Sequence, residues 1–232
     1  MNNIIDKKDK KEKENETSYL TKASFMITYI LLLTTATITF IEAMRTKIPS
    51  VRHILNLETC ISIVAGYFYS IFIEQIDKPD KDKWKDITKN RYIDWCITTP
   101  MMLLTLCLVL GMHIKTPVKI SIFLLIVFFN YSMLFVGYLG EIGQIDRYTS
   151  CFIGFIAFFI MFIIIFNTFV KPKYVYENYV LYFIYLFVWT IYGIVYLLEE
   201  ESKNIAMNIL DFIAKCFIGL GLWAYYTKIF VS

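Results

Sequence analysis

Two charged side chains in the last apolar segment have the types and spacing for carbonyl chemistry. Lys215 falls near the middle of LDFIAKCFIGLGLW, too deep for its ammonium to reach either membrane interface. A desolvated lysine loses its proton readily and then attacks an aldehyde, so this amine is predicted to form a Schiff base. Asp211 precedes it by four residues on the same helix face and can balance a cation there. The alternative is a purely structural lysine–carboxylate pair that helps helices to pack.

A second pair of charges opens the third apolar segment, in RYIDWCITTP from residue 91 to residue 100. Asp94 is predicted to lie opposite the buried cation of Lys215, and Arg91, one turn outward, to compensate the second negative charge. The alternative is an ion pair of Arg91 and Asp94 at the interfacial start of a helix, where charges are common. No Cys or His spacing in the chain is typical of a metal site, so none is predicted.

The elements that must position these residues are membrane-spanning helices. The chain has 232 residues, 57% of them hydrophobic, and its charges are bunched between long apolar runs. Because its basic clusters are interleaved with acids, nucleic-acid binding is not predicted. We predict an all-α membrane protein, a seven-transmembrane-helix bundle. The spans are expected near residues 22–44, 54–76, 91–111, 118–139, 150–170, 175–198 and 205–230.

The charge of the loops predicts how the bundle is oriented. The first, third and fifth loops carry an excess of Lys and Arg, whereas acids balance the basic residues of the other three. The N-terminus is therefore predicted outside and the C-terminus in the cytoplasm. Residues 1–20 are highly charged and lack the apolar region of a signal peptide, which predicts a disordered tail before a helical domain over residues 21–232.

Three segments resemble microbial (type 1) rhodopsins. RYIDWCITTPMMLLT is similar to their third-helix signature, DFIAK to their Asp-x-x-x-Lys retinal attachment site, and VGYLGE at 136–141 to the fourth-helix motif of proteorhodopsins. The motifs occur in the expected order, and the resemblance covers about residues 22–230. Enrichment in Ile, Phe, Tyr, Asn and Lys is typical of an AT-rich genome and favours the virally encoded branch of the family.

The resemblance implies that residues 21–232 form a retinal-binding rhodopsin domain in which Lys215 carries all-trans retinal as a protonated Schiff base. It implies Asp94 as main counterion and proton acceptor, Asp211 as second counterion and Arg91 as their link to the outer side. Thr98 is expected to hydrogen-bond Asp94. Tyr69 and Tyr192 are expected to donate hydroxyls to Asp211, although tyrosine is frequent enough here to be ordinary core. The remaining pocket residues implied, each ordinary core by itself, are Trp95, Thr99, Met102, Met133, Gly137, Phe158, Trp189 and Tyr196, together with Tyr192.

The chain departs from the family pattern at two positions. Gly193 follows WTIY where the sixth-helix motif WxxYP has proline. Thr105 stands eleven residues after Asp94, where proton pumps usually have Asp or Glu, and a hydroxyl does not donate a proton near neutral pH. Glu58 is predicted to face Thr105 as a substitute donor. Its alternative role is to cap or solvate a helix start.

The resemblance implies an integral, multi-pass membrane photoreceptor and not an enzyme. The set Arg91, Asp94, Thr98 and Asp211 favours a light-driven outward proton pump. The missing donor at Thr105 favours, as the alternative, a sensory photoreceptor with a slow photocycle and a transducer protein as partner. A light-gated ion channel comes third, and a structural protein without chromophore is the remote possibility. Family members commonly form trimers or pentamers, so a homo-oligomer in the bilayer is expected.

Overall fold

The computed structural model describes residues 2–77 and 83–227, and these form seven helices without a strand. Each is long and apolar enough to cross a membrane, as the sequence predicts. Two of them, α5 and α7, contain a π-helical stretch. The helices are α1 (Asn2–Arg45), α2 (Pro49–Ile76), α3 (Lys83–Ile114), α4 (Ile120–Glu141), α5 (Arg147–Val170), α6 (Tyr176–Val195) and α7 (Glu200–Thr227).

Two helices begin earlier than predicted. α3 starts at Lys83 and not near residue 91, because its first two turns keep an apolar contact through Ile87, which is fully buried. The backbone of α1 is helical from Asn2, whereas the sequence predicts a disordered tail over residues 1–20. Lys and Glu have high helix propensity, and a helix extends easily from the apolar span that follows. The loop residues 78–82 and the predicted span residues 228–230 lie outside the described residues.

The bundle has the polarity of a protein that is solvated by lipid. Phe128, Phe152 and Phe187 are 61 to 68% exposed on its outer surface. Charged side chains of α3 and α7, in contrast, are buried inside it. Exposing apolar side chains to lipid costs no free energy, whereas polar groups must form hydrogen bonds or ion pairs within the protein. With seven spanning helices, the chain is an integral multi-pass membrane protein.

The packing of the helices brings α3 and α7 to the interior. α7 contacts α1, α2 and α6, while α3 contacts α2, α4 and α6. Both helices are also among the most buried of the seven spans. The charged residues predicted on these two helices therefore lie inside the same bundle.

Candidate functional site

The charged residues of α3 and α7 meet inside the bundle. Lys215 Nζ donates a hydrogen bond of 2.7 Å to Asp94 Oδ2 and lies 3.5 Å from Asp211 Oδ2. None of these three residues is more than 1% exposed. Within the described residues, no ion pair joins Arg91 to Asp94, so the alternative of an interfacial Arg91–Asp94 pair is wrong. Removing one partner from a buried charge cluster is strongly destabilising, so these residues act as a unit.

The backbone of α7 changes geometry at the lysine. Phe212–Phe217 form a π-helical turn between two α-helical segments, and Lys215 belongs to this turn. Such turns widen the helix and often occur at functional sites. The segment FIAKCF contains no proline or glycine, so the sequence gives no signal for it. The position of the amine relative to Asp211 therefore depends on a local feature that spacing alone does not predict.

The two carboxylates differ in their hydrogen bonding. Asp211 accepts the Tyr192 hydroxyl at 2.6 Å on Oδ1 and the Tyr69 hydroxyl at 2.8 Å on Oδ2, and Arg91 Nη1 lies 3.5 Å from Oδ2. Asp94 Oδ2 accepts from Lys215, but its Oδ1 is buried with no hydrogen-bond partner in the described part of the chain. Asp211 is thus surrounded by donors, whereas Asp94 keeps one oxygen open to a proton.

Thr98 bonds to Asp94, but not as the sequence predicts. Its hydroxyl donates to the backbone carbonyl of Asp94 at 2.8 Å, and the carboxylate is not its partner. The neighbouring Thr99 hydroxyl does the same with the Trp95 carbonyl at 2.6 Å. Threonine in a helix commonly bonds the carbonyl four residues back, which explains the difference.

Pro100 interrupts the hydrogen-bond ladder of α3 beside the site. Proline has no N–H, so the carbonyl of Cys96 loses its helical donor. The Tyr131 hydroxyl of α4 donates to that carbonyl at 3.1 Å and replaces it. α3 therefore remains continuous through Pro100 and keeps the predicted site residues on one rigid element.

A cavity lies beside the charge cluster. It has about 820 Å³ of empty space, part of it open to the outside, and Lys215 and Asp211 line it. Tyr69, predicted as a pocket residue, does not line the cavity and contacts Asp211 instead. The other predicted pocket residues do line it, namely Trp95, Thr99, Met102, Met133, Gly137, Phe158, Trp189, Tyr192 and Tyr196. The cavity is also lined by residues that the sequence did not predict, namely Tyr92, Leu134, Ser150, Cys151, Gly154, Phe155, Gly193 and Met207.

Gly193 is required by packing and does not break α6. The helix runs from Tyr176 to Val195 without interruption. A Cβ at Gly193 would stand 2.8 Å from Cε2 of the Phe155 ring, which is closer than carbon atoms pack. Glycine at this position lets the aromatic ring of α5 close the cavity wall against the backbone of α6.

Glu58 is buried on the side of Lys215 that is opposite to Arg91 along the bundle. It is 1% exposed and is the tenth residue of α2, beyond the first turns of the helix, so the alternative of a capping or solvated residue at a helix start is wrong. Its side chain lies near that of Thr105, whose buried hydroxyl has no hydrogen-bond partner in the described part of the chain. A Cβ at Gly219, one turn along α7 from Lys215, would be 2.9 Å from Glu58 Oε2, so glycine makes room for the carboxyl group.

The family of the chain follows from comparison with known proteins. The model of the bacteriorhodopsin-like protein family matches residues 20–229. The chain is a microbial rhodopsin. It is 26% identical over 233 residues to the green-light absorbing proteorhodopsin of Gamma-proteobacterium EBAC31A08, an alignment that covers 92% of this rhodopsin and 89% of that protein.

Two solved structures extend this result. The rhodopsin is similar to the viral rhodopsin OLPVRII, with a TM-score of 0.85 and 44% identity over 90% of this chain and 99% of that one. It shares the fold of the blue light-absorbing proteorhodopsin from Med12, with a TM-score of 0.74 and 24% identity over 91% and 99% of the two chains. The prediction of a microbial rhodopsin is confirmed, and the likeness to a viral rhodopsin agrees with the predicted branch.

Retinal, held by a lysine as a Schiff base, is the cofactor of this rhodopsin family, whose members are photoreceptors and ion transporters and not enzymes. The residues of this rhodopsin fit the group. Trp95, Phe158 and Trp189 give the cavity an aromatic wall suited to a polyene, and Lys215 supplies an amine in its lining. Asp94 Oδ1, buried and without a partner in the described part of the chain, adds an acceptor beside that amine.

Four buried polar residues near the site were missed by the sequence analysis. Asn130 donates from Nδ2 to Thr99 Oγ1 at 2.8 Å. Lys203 donates to Glu141 and Glu200, at 2.9 and 2.8 Å.

Asn204 and Asn208 accept from Arg91. On α7 a signal was available, because residues 204, 208, 211 and 215 follow one helix face.

Proposed function

We propose that this rhodopsin is a light-driven outward proton pump in which Lys215 holds retinal and Asp94 accepts the proton of Lys215 Nζ. The observation that carries the proposal is the geometry of Asp94, with Oδ2 at 2.7 Å from Nζ and Oδ1 without a partner among the described residues. Proton transfer requires an acceptor within hydrogen-bond reach of the proton that it takes. Asp94 meets this condition, and Asp211, which already accepts from two tyrosines, meets it less well.

When bound, retinal supplies light absorption and a change of shape on isomerisation, and the protein supplies the proton path. Asp94 takes the proton of Nζ and becomes neutral. Asp211 and Arg91 remain charged, 3.5 Å apart, and keep the buried cluster balanced. Tyr69 and Tyr192 hold Asp211 in place through their hydroxyls. This division of roles explains why two carboxylates surround one amine.

We assign the Glu58 side of the bundle to the cytoplasm and the Arg91 side to the outside, as the loop charges favour. The N-terminus then lies outside and the C-terminus in the cytoplasm. In this orientation Asp94 releases its proton outward past Arg91, and Glu58 returns a proton to Lys215 Nζ from the cytoplasmic side. A homo-oligomer, trimer or pentamer, remains part of the proposal because such assemblies are common in the family.

The direction of light-driven pH change tests the pump. Cells that express the rhodopsin with added retinal are illuminated in unbuffered medium. The medium is expected to acidify, and a protonophore is expected to abolish the signal. A sensor would give little steady transport, and a channel would give a current that reverses with membrane voltage. Either result, or alkalinisation of the medium, would contradict an outward pump.

One observation favours the alternative, a sensory photoreceptor. Thr105 occupies the position at which proton pumps of this family usually carry a carboxylic acid, and a hydroxyl reloads the site poorly. If Glu58 does not replace that acid, reloading is slow and the deprotonated state is long-lived. A long-lived state suits signalling to a transducer protein and does not suit transport.

Replacing Glu58 by Gln decides between these two readings. The amide keeps the shape of the buried side chain beside Thr105 but holds no transferable proton. We expect reprotonation of Lys215 Nζ to slow by about 100-fold, the usual contribution of a positioned proton donor. Flash photolysis measures this as slower recovery of the visible absorption band. Glu42→Gln, a change at a partly exposed glutamate of α1, is the control, and equal kinetics in the two variants would exclude Glu58 as donor.

A further inference from the structure

The guanidinium of Arg91 is held mainly by neutral amides. Its Nη2 donates to Asn208 Oδ1 at 2.9 Å and to Asn204 Oδ1 at 3.0 Å, whereas the contact of Nη1 with Asp211 Oδ2 is 3.5 Å long. Three aromatic rings surround the group, with centroids 5.0 to 5.9 Å from Cζ. These rings, which leave the amides as the close directional partners, belong to Phe25, Tyr69 and Phe72.

The two amides are themselves fixed by other bonds. Asn208 Nδ2 donates to Ser24 Oγ on α1 at 2.9 Å, and Asn204 Nδ2 donates to the Glu200 carbonyl at 2.8 Å. The Tyr69 hydroxyl contacts both Asn208 Oδ1 and Asp211 Oδ2, at 3.0 and 2.8 Å. Turning either amide over would place its N–H groups against the Arg91 donors. The oxygens of Asn204 and Asn208 therefore point at Arg91 because α1, α2 and α7 hold them there.

We propose that Asn204 and Asn208 are positioning residues that keep Arg91 on the Asp211 side and away from Asp94, and so set the pH range over which Asp94 stays ionised in the dark. This inference rests on the proposed role of Asp94. Its Oδ1 is the nearby carboxylate oxygen without a partner in the described part of the chain. A guanidinium freed from the amides is drawn to that oxygen, since Arg and carboxylate form strong paired hydrogen bonds.

The pH response of Asp94 depends on every charged or titratable group around it. Arg91 lies on the same helix as Asp94. The other groups lie on α2, α6 and α7. Lys215 of α7 contacts Asp94 directly, and Asp211 of α7 lies 3.5 Å from the same Lys215 Nζ. Tyr69 of α2 and Tyr192 of α6 donate to Asp211. Of them, Arg91 alone is a cation held by removable neutral partners. Changing the amides therefore changes the field at Asp94 without replacing an ionisable residue.

The test is a pH titration of the visible absorption band in the dark, with purified, retinal-loaded rhodopsin. Protonation of the counterion changes the colour, so the midpoint reports on Asp94. In Asn208→Leu, Arg91 approaches Asp94 and favours its ionised form, and the midpoint should fall by about one pH unit, as for a new opposite charge at close range. Asn204→Leu should shift it in the same direction and serves if Asn208→Leu does not bind retinal.

Two controls separate positioning from general damage. Asn178→Leu removes a buried amide of α6 that bonds the Leu110 and Phe169 carbonyls, and its midpoint should equal that of the unmodified protein. Adding Asn208→Leu to Arg91→Gln should give no further shift, because the cation that the amide positions is gone. An unchanged or raised midpoint in the amide variants, or an equal shift without Arg91, would overturn the proposal. The titration measures colour and does not depend on transport. A failed pump assay together with the expected titration would therefore contradict the pump and not this inference.

Discussion

Replacing Asp94 by Asn is expected to abolish net light-driven proton transport while leaving a coloured protein. Asp94 Oδ2 is the hydrogen-bond acceptor of Lys215 Nζ, at 2.7 Å. An amide in its place takes no proton, so transfer loses its acceptor. Asp211 stays 3.5 Å from Nζ and still balances the cation. We expect the rate of acidification by illuminated cells to fall by about 100-fold or more, with the absorption band shifted and not lost.

Asp146→Asn is the matched control for this loss. Asp146 caps the start of α5 by accepting from the Thr149 N–H at 2.9 Å, and it lies outside the spans. Asparagine is an equally good cap, so this variant should transport protons at the normal rate. Transport by Asp94→Asn at more than about a tenth of the normal rate would show that another group accepts the proton, since a true acceptor contributes at least about 100-fold.

The fold was largely predictable from composition and length, and for a physical reason. A chain in lipid must cross it with helices of about 20 apolar residues, and this constraint leaves few alternatives. The observed helices differ from the predicted spans where that constraint ends. Among the described residues, α1 and α3 extend to Asn2 and Lys83, beyond the apolar runs, where helix propensity and not apolar sequence supports the helix.

The charged site was predictable because buried charges are rare in a membrane. Lys215, Asp94 and Asp211 stand out against apolar neighbours, and their required pairing predicts that α3 and α7 meet. The details of hydrogen bonding were not predictable. The Thr98 hydroxyl donates to a backbone carbonyl and not to the carboxylate of Asp94. The π-helical turn at Phe212–Phe217 has no sequence signal. Both depend on backbone geometry, which residue types alone do not reveal.

The burial of the Asn204 and Asn208 amides was not predicted, because asparagine is common at helix ends and in turns. Asn204 and Asn208 lie only one and two turns inside α7, where such residues ordinarily face water or the interface. Their burial, at no more than 1% exposed, follows from the packing of α1 against the start of α7 and, at Asn208, from the hydroxyl of Tyr69 on α2. Lys203 is buried by a different contact, between α7 and Glu141 at the end of α4, and these two residues are too far apart in the sequence for spacing to predict the pair.

Replacing Lys215 by Ala is expected to remove the visible colour altogether. Lys215 is the lysine that lines the cavity in the described part of the chain, so the variant offers no amine to an aldehyde there. The change also leaves Asp94 and Asp211 without their common cation, which costs about 3 to 5 kcal/mol for a broken buried pair. Absorption of the purified protein after addition of retinal measures the loss. Borohydride treatment of the unmodified protein should bleach the band and fix the retinyl group on the peptide that contains Lys215.

Two further variants separate loss of the amine from loss of the fold. Lys215→Ala combined with Asp94→Asn removes the buried charge that the single change leaves unpaired, so it should be a better-folded and equally colourless protein. Lys203→Met removes the other buried lysine of α7, whose partners Glu141 and Glu200 lie away from the cavity lining, and it should keep its colour. A folded Lys215→Ala protein with an unchanged visible band would place the attachment on another residue and remove the basis for Asp94 as acceptor, because the 2.7 Å contact would no longer involve the reacting nitrogen.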